Sequence, residues 1–532
     1  MIARFACSAP LADVAVGARF LWGLPAFLRY PVSPAATRAI LRRRLEHREA
    51  DFLGLARQTI YGYPPSPYRQ LLRLAGCEYG DLERLVTHDG VEGALGDLCR
   101  RGVYLTVDEL KGRSPAVRGS ATVAVDPLQL RNPSSTTHLP SQTSGSRGAR
   151  SMVPIDLAFV RDWAVTMCLD LHARGGSDWL IGRWSVPGGE SVAFLLLYAG
   201  FGTPPVRWFT QVDPAAPGLH WRYRWSVHAM RWGGTLAGMS LPRPEYVPLD
   251  DPMPIALWMA EVLRGGSTPC LVTYTSAAVR ICQAALADGL DLRGARLILI
   301  GEPITAARLA TIRRAGADAI PHYGSVEAGL IGGGCLDPEA PDDVHLYQDL
   351  LALIQPRPGG EPRGAPARGL LISSLRPTAS LILLNVSLGD RAEMVRRACG
   401  CPLEQLGWTT HLHTIRNFEK LTAGGMTFLD TDLIRVLDES LPARFGGGPT
   451  DYQLVEEEGG DGRPRLRLLV HPKLGPLDAD GVADQFLAAI GAGSGAERVM
   501  ALQWREAGFL QVDRQPPRST VSGKILHLHQ ER

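Results

Sequence analysis

The sequence is poor in lysine and in net charge. Only four of its 56 basic residues are lysine, Lys111, Lys420, Lys473 and Lys524, and the formal net charge is +2. Such a balanced charge gives no field that would attract nucleic acid or an anionic membrane surface. We therefore expect neither partner, and we treat each lysine as a candidate functional residue because arginine supplies nearly all other positive charge.

Cysteines are also scarce, and long apolar runs are missing. Nine cysteines in 532 residues are few and odd in number, and most lie in apolar segments. This pattern predicts a reduced, cytoplasmic protein. No uninterrupted apolar run approaches the roughly 18 residues of a membrane-spanning helix. Asp13 and Arg19 interrupt the apolar N-terminus, and no small-residue cleavage site follows it, so we predict no signal peptide.

The chain is long enough for more than one domain and for large buried cores. The first 120 residues are predicted to be mainly helical. Residues 150–300 alternate helical segments with short apolar runs, which predicts an α/β class. The predicted helices are Asp156–Arg174, Pro254–Gly265 and Ser276–Asp288, and the predicted strands are Leu180–Ser185, Val192–Tyr198, Cys270–Thr273 and Leu297–Ile300. One further strand is expected at 345–356, and two are expected at 369–388, ending in Gly389-Asp390-Arg391. A pair of strands is expected around 451–471, followed by a helix at Leu477–Ile490 and a strand at Val499–Trp504.

The stretch Ser141–Ser151, SQTSGSRGARS, combines hydroxyl residues and glycines with two arginines. Glycines let a backbone approach a ligand closely, hydroxyl and N–H groups donate to phosphate oxygens, and arginine neutralises their charge. These residues alone allow a phosphate-binding loop or an ordinary solvated loop. The stretch is not a Walker loop, because the Gly-Lys-Ser/Thr ending of such a loop is missing.

Two further motifs are predicted to lie in turns after consecutive strands. Gly301-Glu302-Pro303 follows the first strand, and Pro321–Glu327, PHYGSVE, follows the second. In an open α/β sheet, ligands bind beyond the carboxyl ends of the strands. Tyr323 offers a ring for stacking on adenine, Ser325 offers a hydroxyl to a phosphate, and Glu327 offers a hard oxygen to Mg²⁺.

The three motifs together resemble those of the adenylate-forming superfamily, which includes acyl- and aryl-CoA ligases. In the loop, five positions match: Thr143, Ser144, Gly145, Ser146 and Gly148. Arg147 replaces the family's second threonine, and Arg150 or Ser151 stands near its lysine. The resemblance implies ATP binding by the loop, by Gly301, Glu302 and Pro303, and by Tyr323, Gly324 and Ser325.

The resemblance continues to the end of the chain and is nearest to the phenylacetate-CoA-ligase branch. By it, Asp390 would hold the ribose hydroxyls, and Arg416 would bind ATP and would lie in the hinge stretch at which a mobile lid begins. Gly425 stands near the family's hinge glycine, but Phe418 and Glu419 replace the family's two aspartates, so the hinge residue is left open. Lys524, in a Ser-Gly-Lys turn, takes the place of the catalytic lysine. The implied architecture is a large N-terminal α/β adenylate-forming domain with a small mobile α+β lid, divided as 1–120 (helical region), 121–415 (core with the ATP and acid sites) and 416–532 (lid).

A metal site is a separate candidate. Cys335, His345, Cys399 and Cys401 together offer three thiols and an imidazole, the ligands that suit tetrahedral Zn²⁺. The spacing is not that of a known zinc finger. The alternative is three buried cysteines and a surface histidine, and both interpretations remain open at this point.

The resemblance implies a ligase that activates a carboxylic acid with MgATP. Glu327 would hold Mg²⁺, and Lys524 would stabilise the charge of the transition state. The acyl group would pass to an acceptor, which is expected to be coenzyme A, with an amine or a carrier-protein thiol as alternatives. Tryptophan-rich apolar content favours an aromatic or lipophilic acid. Two alternative functions remain open. One is a CoA-independent amide synthetase or an activating enzyme for an unusual oxyacid or amine, and the other is a non-catalytic nucleotide-binding relative. Whether the protein forms a homodimer is also open.

Overall fold

The computed structural model describes residues 9–142, 152–186, 188–213, 221–356, 369–417, 421–423, 426–428, 430–458, 464–491, 510–520 and 523–530. Its helices are α1 (Ala9–Arg29), α2 (Pro34–Glu46), α3 (Arg48–Ala56), α4 (Pro67–Leu74), α5 (Tyr79–Arg100), α6 (Val107–Leu110), α7 (Leu157–Ala173), α8 (Gly189–Ala199), α9 (Trp221–Leu236), α10 (Met253–Arg264), α11 (Thr275–Ala287), α12 (Ala306–Arg314), α13 (Asp430–Arg435), α14 (Leu441–Phe445) and α15 (Ala479–Ile490).

The strands are β1 (Ala116–Arg118), β2 (Ala121–Val123), β3 (Leu139–Gln142), β4 (Met152–Ile155), β5 (Leu180–Ser185), β6 (Arg207–Thr210), β7 (Pro244–Tyr246), β8 (Pro269–Tyr274), β9 (Arg296–Ile300), β10 (Asp318–Ser325), β11 (Gly329–Gly334), β12 (Val344–Leu346), β13 (Leu351–Ile354), β14 (Gly369–Ser374), β15 (Val386–Arg396), β16 (Thr410–Asn417), β17 (Leu421–Ala423), β18 (Met426–Phe428), β19 (Tyr452–Glu458), β20 (Pro464–Val470), β21 (Leu510–Asp513) and β22 (Leu528–Gln530).

One large sheet forms the centre of the described chain. Its order is β13-β14-β15-β16-β12-β11-β10-β9-β8-β5-β6-β7. The six strands from β7 to β10 pair in parallel, and the strands from β10 to β13 pair antiparallel. The central parallel strands β5, β8 and β9 are almost fully buried, as is typical of parallel strands between layers of helices. The mixed α/β class that the sequence predicts is therefore confirmed.

The N-terminal helices belong to the same hydrophobic core as the large sheet. The helix α5 bends at Gly90, whose φ of 70° lies in the left-handed region. Buried Asn385 connects this layer to β15 because its amide donates to the carbonyl oxygens of Leu95 (2.8 Å) and Val103 (3.0 Å). The helical region at 1–120 is thus packed onto the sheet and is not a separate core.

The C-terminal part has a second core of its own. The strands β21, β20, β19 and β22 form a four-stranded sheet in that order, and α15 packs beside it. Leu454, Leu468 and Phe486 are among its fully buried side chains. A small α+β unit after the hinge region is what the sequence predicts. The division of the chain at 120 and 415 stays a prediction.

Four local predictions differ from the structure. The sequence predicts a strand at Val192–Tyr198, but these residues belong to α8, because an apolar run that is buried on every side gives no period to distinguish helix from strand. Residues 345–356 form two strands, β12 and β13, and not one. Pro321–Ser325 continues β10, with an irregularity between Tyr323 and Gly324, instead of forming a turn. Gly389–Arg391 lies within β15 and does not end it. The strand predicted at Val499–Trp504 lies outside the described residues.

Candidate active site

The strand order places a crevice between β5 and β8. The chain runs from β5 outward to β6 and β7, and then returns to the other side of β5 and runs outward again through β8, β9 and β10. Connections on the two sides of such a switch point diverge, and ligands bind there beyond the carboxyl ends of the strands. Those ends are Ser185 and Tyr274 in this protein.

The C-terminal segment reaches the same crevice. The ammonium group of Lys524 lies 5.3 Å from the ring centroid of Tyr274. A Cβ atom at Gly301 would stand 2.8 Å from the Nζ atom of Lys524, and one at Gly523 would collide with Gln211 of the loop after β6. The sequence predicts Lys524 as catalytic from its Ser-Gly-Lys turn, and the fold brings it to the switch point from more than 200 residues away.

Glu302 fixes this segment to the sheet. Its buried carboxylate accepts hydrogen bonds from Ser276 N (2.6 Å), Ser276 Oγ (2.9 Å) and Ile525 N (2.8 Å). The carboxylate therefore holds the residue next to Lys524, while the carbonyl of Pro303 accepts from Arg308 at 3.3 Å. Glu302 has a positioning role that the sequence did not reveal, and direct ATP binding by Gly301, Glu302 and Pro303 stays a prediction.

Tyr323 and Asp390 are in contact. The hydroxyl of Tyr323 donates to Asp390 Oδ2 at 2.9 Å, and Asn417 Nδ2 donates to Oδ1 at 3.2 Å. Burial raises the pKa of Tyr323 well above its usual range, and the charge of Asp390 raises it further. The predicted adenine platform and the predicted ribose carboxylate thus form one unit at the junction of the parallel and antiparallel halves of the sheet.

Glu327 is buried and shares its electrostatic environment with two of the four lysines. Burial raises the pKa of its carboxyl group, and Lys111, Ser325 and Lys524 oppose that rise. Lys111 follows α6, and Ser325 Oγ accepts a hydrogen bond from Ala328 N at 2.9 Å. The two lysines favour the ionised carboxylate, and an ionised carboxylate is a ligand that Mg²⁺ shares with phosphate oxygens.

Arg416 has an ion-pair partner within the chain. Its guanidinium donates to Asp342 Oδ2 at 2.8 Å, and the same carboxylate accepts from the backbone N–H groups of Thr414 and Ile415 at 2.8 Å. This arrangement holds the end of β16, where the hinge is predicted, so nucleotide binding by Arg416 remains a prediction. The phosphate-loop residues Thr143, Ser144, Gly145, Ser146 and Gly148 lie outside the described residues, as do Phe418, Glu419 and Gly425.

The predicted metal ligands are close together. His345 Nε2 lies 3.7 Å from Cys399 Sγ and 3.2 Å from Cys401 Sγ. One ligand atom from each of Cys335, His345, Cys399 and His411 lies within 4.8 Å of the others. Burial raises the pKa of Cys335 to about 12 and lowers that of His345 to about 4, so without a metal ion the thiol is protonated and the imidazole is neutral at pH 7. The buried side chains favour a ligand set over the alternative of a surface histidine.

The sequence did not single out His411. Its ring lies 4.1 Å from that of His345, Nδ1 lies 2.9 Å from Asp343 Oδ1, and the buried Nε2 has no hydrogen-bond partner in the part of the chain that is described. A carboxylate on one imidazole nitrogen orients the other toward a metal. The residues fit a zinc ion, with His411 competing with Cys401 for the fourth position. His411 lies on β16 and Asp343 directly precedes β12, so the pairing of these two strands brings them together, and no local motif marks them.

The sequence matches no protein-family model and no curated protein. Solved structures do match the fold. A 2-hydroxyisobutyryl-CoA ligase in the postadenylation state with 2-HIB-AMP aligns with a TM-score of 0.53 and 14% identity, over 95% of this chain and 91% of that chain. The same ligase with R3-HIB-AMP aligns with a TM-score of 0.51, at the same identity and coverage. The chain therefore has the fold of adenylate-forming ligases. No described helix is both long and apolar enough to cross a membrane.

Proposed function

We propose that the protein is an ATP-dependent ligase that forms an acyl-adenylate and then transfers the acyl group. The contact of Lys524 with Gly301 carries this proposal. It brings the C-terminal Ser-Gly-Lys motif to Gly301-Glu302-Pro303, the motif that follows β9 near the switch point. Tyr323 with Asp390 would hold the nucleoside, and Glu327 would hold Mg²⁺. The adenylate-forming fold supports the same activity.

In this reaction, the substrate carboxylate attacks the α-phosphate of ATP and pyrophosphate leaves. A carboxylate is already ionised at neutral pH, so no general base is required. The protein has to position the two reactants and to stabilise the charge that develops between them. Lys524 is the cation of this site that the C-terminal segment supplies, and Glu302 positions it through Ile525.

The second step requires an acceptor. We propose coenzyme A, because the aligned relative is a CoA ligase. An amine or a carrier-protein thiol is the alternative, since Val386–Asp390 and the residues after Arg416 depart from the family pattern. The lid at 416–532 would rotate between the steps and carry Lys524 away. We also propose one structural zinc ion at Cys335, His345 and Cys399, with Cys401 or His411 as the fourth ligand.

ATP–pyrophosphate exchange with a panel of acids tests this function. Exchange that depends on Mg²⁺ and on one class of acid, without coenzyme A, would support adenylation, and product formation on adding coenzyme A or amines would identify the acceptor. Calorimetry without ATP affinity, together with no exchange for any acid, would reject the function and favour a non-catalytic relative.

A further inference from the structure

Arg183 is a buried cation without a complete partner. It lies in β5, next to the switch point, and is 2% exposed. Its Nε donates to Ser185 Oγ at 3.2 Å, but Nη1 and Nη2 are buried and make no hydrogen bond to any described residue. A buried guanidinium is costly unless its N–H groups are satisfied.

The nearest anion is a weak partner. Glu190 Oε1 lies 3.8 Å from Arg183 Nη2, beyond hydrogen-bond distance, and the Glu190 side chain is 37% exposed. The guanidinium instead stacks on Phe194 of α8, with its carbon 4.3 Å from the ring centroid. Arg183 thus has a flat apolar support and two N–H-bearing nitrogens that remain available for an acceptor.

Arg183 lies farther from the carboxyl ends of the strands than Lys524 does. It pairs with Val272 of β8, two residues before Tyr274 at the strand end. At about 3.3 Å per residue, this places Arg183 roughly 7 Å deeper along the strands than the edge that Lys524 contacts. Burial raises the pKa of Tyr274, Glu190 raises it further and Arg183 opposes the rise, so all three groups share one electrostatic environment.

Two other buried donors near Phe194 and Arg183 are unused. Trp163 Nε1 and the Tyr198 hydroxyl are buried and have no hydrogen-bond partner within the described segments. The Trp163 ring lies 6.5 Å from that of Phe194, and Arg183 opposes the burial-raised pKa of Tyr198. An acceptor-rich, anionic group fits such surroundings better than an apolar tail.

We propose that Arg183 binds a second acidic group of the substrate, which is therefore a carboxylic acid with another carboxylate, or an equivalent anion, at its far end. The proposal rests on the proposed adenylation. The reacting carboxylate lies at the strand edge by Lys524, and the distal anion pairs with Nη1 and Nη2 of Arg183, as planar guanidinium and carboxylate groups do.

The test is ATP–pyrophosphate exchange with matched acids that differ in the distal group. The pairs are hexanoate and adipate, octanoate and suberate, and 4-ethylbenzoate and 4-(carboxymethyl)benzoate. In at least one pair, the wild-type kcat/KM is expected to be tenfold or more higher for the diacid. Arg183→Met should lower that ratio at least tenfold, and Arg183→Lys should restore part of it.

Equal or better use of the neutral acids, with a ratio that Arg183→Met leaves unchanged, overturns the proposal and leaves adenylation intact. Exchange with no acid at all rejects the proposed function and this inference with it. Thermal unfolding gives a readout that needs no substrate. Arg183→Met should keep or raise the Tm, because it removes an incompletely paired charge, whereas Arg174→Met, which breaks a buried pair with Asp170, should lower it. A Tm loss in Arg183→Met equal to that of Arg174→Met would make Arg183 structural and overturn the proposal.

Discussion

The ammonium group of Lys524 packs against Gly301, so closely that a Cβ atom at position 301 would stand 2.8 Å from Nζ. Gly301 also has a φ of +72°, which a side chain would strain. The positive φ favours glycine at the turn after β9, and a side chain there would displace the end of Lys524. The contact brings together two motifs that lie more than 200 residues apart in the chain.

Glu327→Gln should lower the rate of pyrophosphate exchange by about tenfold or more, while the Kd for ATP changes less, because the change removes one negative charge from the proposed Mg²⁺ ligand. Burial raises the pKa of Glu327, so wild-type exchange should fall on acidification at a higher pH than an ordinary glutamate would produce. The variant should lack this acid limb. Exposed Glu261→Gln is the control, and unchanged turnover at all Mg²⁺ concentrations would contradict the role.

A buried ionic cluster joins the C-terminal part, the proposed lid, to the part of the chain that contains the large sheet. Asp438 of the lid lies 3.2 Å from Arg308 Nε and 2.9 Å from His527 Nε2, and its Oδ2 accepts from Thr305 at 2.9 Å. Asp438→Asn should weaken this lid position, lower pyrophosphate exchange and speed proteolysis of the lid. If this lid position loses about 1.4 kcal/mol of stabilisation, its population relative to other lid positions falls tenfold.

Asp480→Asn, on an exposed part of the same lid, is the matched control for this cluster. Equal protease sensitivity and exchange in both variants would show that the Asp438 cluster does not set the lid position.

Asp170 should control acid stability. Burial alone would raise its pKa, but Arg174 and His322 outweigh this effect and hold the pKa well below its usual range. The stabilisation is therefore present above the unfolded pKa of about 3.9 and is lost as pH falls toward the native value. Asp170→Asn should cost about 3–5 kcal/mol at pH 7, because it breaks a buried pair.

Urea unfolding from pH 7 down to the acid range measures this difference. The gap between wild type and Asp170→Asn should stay constant above about pH 5 and narrow below about pH 4. The exposed Asp291→Asn should give no gap at any pH. A gap that is the same at acid and neutral pH would mean that Asp170 acts through packing and not through its charge.

Protein purified without a polyhistidine tag should contain about one zinc per chain. Cys399→Ser should lose most of it. His411→Ala distinguishes the fourth ligand, since zinc loss would assign His411 and retention would assign Cys401. Cys168→Ser, a buried cysteine elsewhere, should keep the metal. Metal-free protein, or undisturbed zinc in Cys399→Ser, would reject the site.

Local motifs allowed much of this site to be predicted. Lys524 and the Tyr323 region each lie in a recognisable motif, whereas the three cysteines were singled out by residue type alone. The structure brings Lys524 to Gly301 and brings Cys335 and Cys399 to His345, and their roles stay predictions. Pairing between distant strands decides the rest. Arg183 lies in an ordinary-looking strand, and α8 is too uniformly apolar for its type to be predicted. His411 lies beside His345 only through the β12–β16 pairing.

The measurement that tests the account most directly separates the two half-reactions in Lys524→Ala. One such donor typically contributes about a hundred- to a thousandfold in rate. The variant should lose ATP–pyrophosphate exchange by that factor yet still convert a supplied acyl-adenylate into product, whereas Lys473→Ala, a lid lysine paired with Asp451, should retain both steps. Equal loss of both half-reactions in Lys524→Ala, or loss of neither, would contradict the assignment of Lys524 to adenylation.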